Sequence, residues 1–201
     1  MSNQGLLSFI IQTIISLSVF SLFLAIFIDF LKYSKNKKVL KEKKSIVETG
    51  TMTLFFLLFY IILRSGAGVI TIKSDLLINT LIIPGTLLIV CGCIINIAGR
   101  FNLGNNWANQ IKIYDKHTLI QTGMYKFVRH PLYASIILMF YGACLVYRSI
   151  YAVAAVSVIF VPFMIYRARQ EETLLIQRFP QYQEYAKRTG MFFPKIKKGG
   201  I

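Results

Sequence analysis

Apolar residues gather in five runs along the chain, over 6–31, 46–63, 76–98, 132–147 and 150–166, with polar and basic stretches between them. The first three runs are long enough for helices that cross a hydrocarbon core of about 30 Å. The last two are short and are joined only by Arg148 and Ser149. They predict a tight helical hairpin that dips into the membrane rather than crossing it fully, with Pro162 tolerated near its end. The stretch 99–131 is dense in Gly, Asn and hydrogen-bonding side chains and predicts an ordered loop with short helical or extended turns. Beyond 166, Leu174, Leu175 and Phe179 alternate with charges, the mark of an amphipathic helix that continues the last apolar run until Pro180 breaks it. The expected fold class is all-α integral membrane, with about five transmembrane helices. No repeat or low-complexity linker divides the chain, so 1–201 reads as a single membrane domain, with three N-terminal helices in 1–98 and most of the polar information in 99–201.

Composition agrees with that pattern. A hydrophobic share of 55%, a mean hydropathy of +0.58 and a charged share of 15% are too apolar for an ordinary soluble domain. The formal charge of +15 would suit a nucleic-acid partner only if the basic residues shared a soluble face, whereas here they lie between membrane runs. Their placement reports topology instead. Of the 23 Lys and Arg residues, all but Arg64, Lys73 and Arg148 fall in 32–44, 100–129 and 167–198. With five crossings, the positive-inside rule places those three stretches in the cytoplasm and the N-terminus outside. Most of these charges serve as topology determinants and lipid-headgroup contacts of the bilayer.

The first run is too long for a signal peptide's apolar core and has no basic residue before it, so it reads as a retained helix. Cys91, Cys93 and Cys144 fall inside apolar runs without ligand spacing, which argues for packing and against a disulfide or metal. Candidate chemistry therefore concentrates at two places. In "RHPLYAS" (129–135), Pro131 suits the first turn of a helix, whose unpaired amides and positive dipole end would face the cytoplasm beside His130. At the other end of the hairpin, Arg167 and Glu171 are four apart on one helix face, with Arg178 seven beyond Glu171. The hairpin brings these two constellations near each other.

The stretch "HTLIQTGMYKFVRHPLY", followed about forty residues later by "EE", a Phe and a pair of tyrosines, resembles the isoprenylcysteine carboxyl methyltransferase family. That superfamily includes phospholipid N-methyltransferases, and its signature is an Arg-His-Pro-x-Tyr stretch, a hairpin and a Glu pair, here Glu171 and Glu172. The resemblance covers about 99–195. It implies an integral-membrane methyltransferase that holds S-adenosylmethionine in a cytoplasmic pocket between the polar loop, the hairpin and the C-terminal helix. No glycine-rich strand-to-helix fingerprint of a Rossmann methyltransferase is present.

Carried over residue by residue, the family's cofactor positions fall on Gln110, His117, Thr118, Leu119, Ile120, Tyr125, His130, Pro131, Leu132, Tyr133 and Glu171. Physically, Glu171 suits the cofactor's ammonium group, amides near Pro131 suit its carboxylate, and Tyr125, Leu119 and Tyr133 suit its adenine. The substrate-carboxylate position falls on Arg167, whose planar guanidinium can grip a carboxylate with two donors. Many relatives have Gly where this chain has Ser135, and a side chain there could narrow the approach to the cofactor or change the substrate's fit.

The implied acceptor is lipophilic, with an isoprenylated cysteine or similar lipid-linked acid preferred over a phospholipid amine. A carboxylate nucleophile is ionised at neutral pH and needs no base, whereas an amine must first lose a proton. A membrane sterol reductase, which shares features of the C-terminal half but uses a nicotinamide, usually has more helices. A transporter or scaffold would show ionisable residues in mid-helix or an inverted repeat, and the sequence shows neither.

Overall fold

The structure is a computed structural model that describes residues 3–33, 39–43, 46–106, 111–114 and 118–195. Every apolar run forms a helix, the conformation that pairs its own backbone groups where no water is at hand. In chain order the elements are α1 (Asn3–Tyr33), β1 (Val39–Lys43), α2 (Ile46–Ser65), α3 (Asp75–Leu103), β2 (Ile111–Tyr114), α4 (Pro131–Tyr147), α5 (Ile150–Ala155), α6 (Val161–Arg178) and α7 (Tyr182–Arg188). Single 3₁₀ turns at Gly104–Asn106 and Gly123–Lys126 fall in the stretch read as an ordered loop. The all-helical expectation holds except for one antiparallel ribbon, in which β1 pairs with β2 and Lys41 stands opposite Ile113.

Three helical stretches are long and apolar enough to cross a membrane: Gly5–Lys32, Asp75–Asn106 and Ile150–Arg178. Gly50–Ser65 and Pro131–Tyr147 are shorter apolar helices. The chain is thus an integral membrane protein. One expectation needs correcting. The second arm of the hairpin is no short dip, because α5, a π turn at Val156–Phe160 and α6 run on as one helical stretch of 29 residues. Pro162 stands just beyond the π turn, with only Val161 between them. Its ring withholds an N–H and crowds the preceding turn, and the wider register accommodates it without breaking the helix. The charges after Tyr166 end the apolar run but not the helix, which continues to Arg178 as its amphipathic pattern predicts.

The central packing is that of α3 against α4, antiparallel and close. Gly85, Gly92 and Gly99 recur every seven residues on α3. A Cβ on them would meet the Gly142 carbonyl oxygen at 2.7 Å, Met139 Cγ at 2.5 Å and Leu132 Cδ2 at 3.0 Å, respectively. Small residues that let two backbones approach are how membrane helices associate where lipid removes the hydrophobic drive. Polar side chains finish the same contact. Asn96, fully buried, donates to the Ser135 hydroxyl at 2.7 Å, and that hydroxyl donates to the Leu132 carbonyl at 2.7 Å. Arg100 carries the network on, with Nε donating to Asn96 Oδ1 and Nη1 to Asp29 of α1, at 2.7 and 2.8 Å. An aromatic cluster closes the other side of α4. Phe55 stacks on Phe160 at 4.8 Å, while Phe140 meets both edge-on at 5.3 and 4.6 Å.

Candidate active site at the start of α4

Pro131 is the first residue of α4 and His130 its N-cap, as the motif predicts. The motif is held from behind by the C-terminal segment. Arg129 N donates to the Gly190 carbonyl at 2.8 Å and His130 N to that of Met191 at 3.1 Å, so 128–130 and 190–191 lie side by side as extended chain. The Arg129 guanidinium donates to the carbonyls of Ala186 and Thr189 at the end of α7. Gly190 is required here, since any Cβ would overlap the Phe193 carbonyl.

Opposite the motif stands α6. Glu172 Oε1 accepts from Arg129 Nε at 2.7 Å and faces His130 Nε2 at 3.0 Å. Glu171 Oε2 faces His130 Nδ1 at 3.5 Å and accepts the Tyr133 hydroxyl at 3.1 Å. Both imidazole nitrogens of His130 therefore point at carboxylate oxygens, an arrangement satisfied only by the doubly protonated ring. His130 is 5% exposed. Burial alone would push its pKa down, but the hydrogen bonds and charges of Glu171 and Glu172 outweigh burial and raise it. The Tyr133 ring stacks on that imidazole at 5.5 Å. Tyr125 is pushed well above the ordinary tyrosine range, first by burial and then by the Glu171 charge, so it stays a neutral phenol.

Arg167 joins the cluster from one turn before Glu171, beside the Tyr133 hydroxyl. Its Nη1 donates to Met52 Sδ at 3.2 Å, and its Nε is buried with no hydrogen-bond partner. Among the described residues it is the member of the cluster with no carboxylate in ion-pair reach. Arg129 and His130 balance Glu171 and Glu172, so Arg167 leaves the group one positive charge in excess. The Tyr182 hydroxyl is likewise buried without a partner, beside Glu172.

Residues 85–177 match the model of the isoprenylcysteine carboxyl methyltransferase family. Over that segment the chain resembles the family. Among curated relatives, the chain is 34% identical over 80 residues to a cobalt-zinc-cadmium resistance protein of Cupriavidus metallidurans, a match covering 40% of this chain and 37% of the relative. A nickel-cobalt-cadmium resistance protein of Alcaligenes xylosoxydans xylosoxydans is 35% identical over 78 residues, 39% of this chain and 37% of its own. Protein-S-isoprenylcysteine O-methyltransferase A of Arabidopsis thaliana is 31% identical over 115 residues, 56% of this chain and 58% of its own. The chain thus spans between a third and three fifths of the relatives it matches. The family segment contains α4, Arg167 and Glu171, but not the α7 and 189–193 backing.

The structure brings together Tyr125, His130, Pro131, Tyr133, Arg167 and Glu171 from the residues singled out in the sequence. Thr118 sits beside Asn106, whose side chain bonds both its amide and its hydroxyl, at 3.1 and 2.9 Å. Leu119 and Ile120 are half-buried on the same strand of loop. Leu132 packs on α3 at Gly99. Gln110 and His117 lie outside the described residues. Ser135, fully buried, turns its hydroxyl to Asn96 on α3. Glu172 and Arg129, which tie the two halves of the site together, were not picked as site residues. Both stand inside quoted motifs, but adjacency in a motif does not show which Glu faces inward. The side-chain exposures decide it, 37% for Glu171 against 15% for Glu172.

Proposed function

We propose that this protein transfers a methyl group from S-adenosylmethionine to a lipophilic acceptor, the α-carboxylate of an isoprenylated cysteine or a similar lipid-linked acid. The observation that carries the reading is Arg167, the uncompensated guanidinium of a cluster otherwise balanced, with a buried donor unused. An anionic group placed beside it completes the charge and the hydrogen bonding together. The family segment and the plant relative's name support the same chemistry.

The residues present fit the cofactor. Glu171, the more exposed carboxylate, would take the ammonium group, and Tyr125 and Tyr133 offer ring surface for adenine. Gln110, His117, Thr118, Leu119, Ile120 and the helix start at His130, Pro131 and Leu132 complete the set proposed to hold it. When bound, the cofactor supplies an activated methyl group on a sulfonium. The protein's part is to hold the acceptor in line, through Arg167, and to exclude water. A carboxylate acceptor also suits the cluster's protonation. Both ring nitrogens of His130 face carboxylates and Glu172 is engaged by two donors, so neither is placed to take a proton from an amine.

In the membrane, five crossings with the N-terminus outside would set this site at the cytoplasmic surface, as the basic residues favour, and 1–201 would act as one domain. The test is methyl transfer by the purified full chain, with labelled S-adenosylmethionine offered a farnesylated cysteine and a phosphatidylethanolamine in parallel. Label in the farnesylated acid is expected. Transfer only to the amine would replace the acceptor, and transfer to neither would remove the reading. Glu171→Gln is expected to weaken cofactor binding by about 1.5–3 kcal/mol, the usual scale for a hydrogen bond to a charged group, and unchanged affinity by calorimetry would remove Glu171 from the cofactor set.

A further inference from the structure

At the opposite end of the helices lies a cavity of about 730 Å³, enclosed by the first third of α1, the end of α2, the start of α3 and the end of α4. Its walls are mixed. Ile11, Ile15 and Ile82 give an apolar flank, Gln12 and Asn79 offer amides, and Arg64 and Arg148 line it with no carboxylate among the lining residues. Only three basic residues lie outside the basic stretches of the chain, and two of them line this one cavity.

Arg148 is set there by construction. It occupies the turn between α4 and α5 with φ 52° and ψ 32°, a left-handed conformation where chains ordinarily place glycine. The turn is pinned to the loop after α2: Ile70 N donates to the Arg148 carbonyl at 3.0 Å, Ile150 N to that of Gly68 at 2.9 Å, and Ser149 Oγ to that of Ala67 at 2.8 Å. The backbone around Arg148 is therefore fixed before any ligand arrives. Its Nε is buried and has no hydrogen-bond partner. A long cation held in a glycine conformation, with a buried donor unused, is a feature that packing alone does not call for.

We infer that this cavity binds a glycerophospholipid through its headgroup phosphate, with Arg64 and Arg148 on the phosphate and an acyl chain along the apolar flank. The location favours a lipid over a free anion. The cavity lies near the ends of apolar helices long enough to cross a membrane, and Tyr60 and Tyr147 among its lining residues are the amphipathic rings that settle at a membrane interface. Its volume lies in the range of small-molecule sites. The site shares no residue with the cluster around Glu171, so it stands or falls apart from methyl transfer.

The experiment is native mass spectrometry of the delipidated full chain titrated with dioleoylphosphatidylglycerol, beside inorganic phosphate as competitor. One tightly held lipid is expected, little displaced by millimolar phosphate. The double variant R64Q/R148Q is expected to weaken it by about tenfold or more, since each lost pairing is a hydrogen bond to a charged group. Because Gly suits the left-handed turn, Arg148→Gly separates binding from folding: it is expected to keep its melting temperature in lipid-free detergent while losing lipid. Equal lipid binding by R148G and wild type would overturn the site, and so would displacement by phosphate as effective as by lipid, which would make it a free-anion site.

Discussion

The two ends of this helical bundle treat charge in opposite ways. At the start of α4, five ionisable side chains meet, and four of them cancel through contacts of 2.7 to 3.5 Å. At the far end, two guanidiniums line a cavity with no acid among its described lining residues. The first arrangement is rigid because each charge depends on its neighbours, and it concentrates the unsatisfied donor in a single residue, Arg167. The second is incomplete without an anion from elsewhere. A cation with no acid beside it is a place where an anion can be bound, and the neighbouring charges say how much freedom the site has.

The comparison breaks most visibly if the balance at the site end is destroyed. Glu172→Gln leaves Arg129 and His130 facing one carboxylate less inside the protein, and a loss of about 3–5 kcal/mol of stability is expected, the usual cost of stripping one partner from a buried pair. Thermal unfolding in detergent measures it. A loss below about 1 kcal/mol would show the cluster to be solvated and the contrast between the ends unfounded.

Next in size is Arg167→Ala, which removes the surplus charge without disturbing the balanced four. Folding and cofactor affinity should stay near wild type, while single-turnover transfer to a farnesylated cysteine falls by about 10²-fold, the scale of losing one preorganised charge-stabilising donor. Arg167→Lys should recover little of it, because a point charge lacks the planar grip. Undiminished transfer in the alanine variant would withdraw the anchor role.

A smaller effect separates the ends by pH. His130 has its pKa raised in the folded protein above its ordinary 6.5, so its contribution to stability is complete below that value and is lost as pH rises through the raised one. The melting temperature should therefore decline on the alkaline side through that window, and His130→Gln should flatten the decline. The far end shares no residue with the His130 cluster, so R64Q/R148Q should keep the slope of the wild type. The least of the effects is Arg148→Gly, expected to change stability by less than about 1 kcal/mol in lipid-free detergent, as relief of the left-handed strain meets the greater freedom of glycine in the unfolded chain.

What the sequence by itself determined is what depends on local period and local chemistry. Long apolar runs leave the backbone no partner but itself, so the helices at 6–31 and 76–98 were legible from composition alone, and Pro131 marked the start of α4 because its missing N–H is harmless only there. The pairing of Arg167 and Glu171 followed from helical spacing. The tertiary structure decided everything that depends on a second element. The heptad of glycines on α3 acquires meaning only once α4 lies across it. Ser135 turned to Asn96 because α3, not the site, occupies that face of α4. Which of two adjacent glutamates faces inward, and which two of three stray cations share a cavity, are matters of contact between segments far apart in the chain, and no local signal carries them.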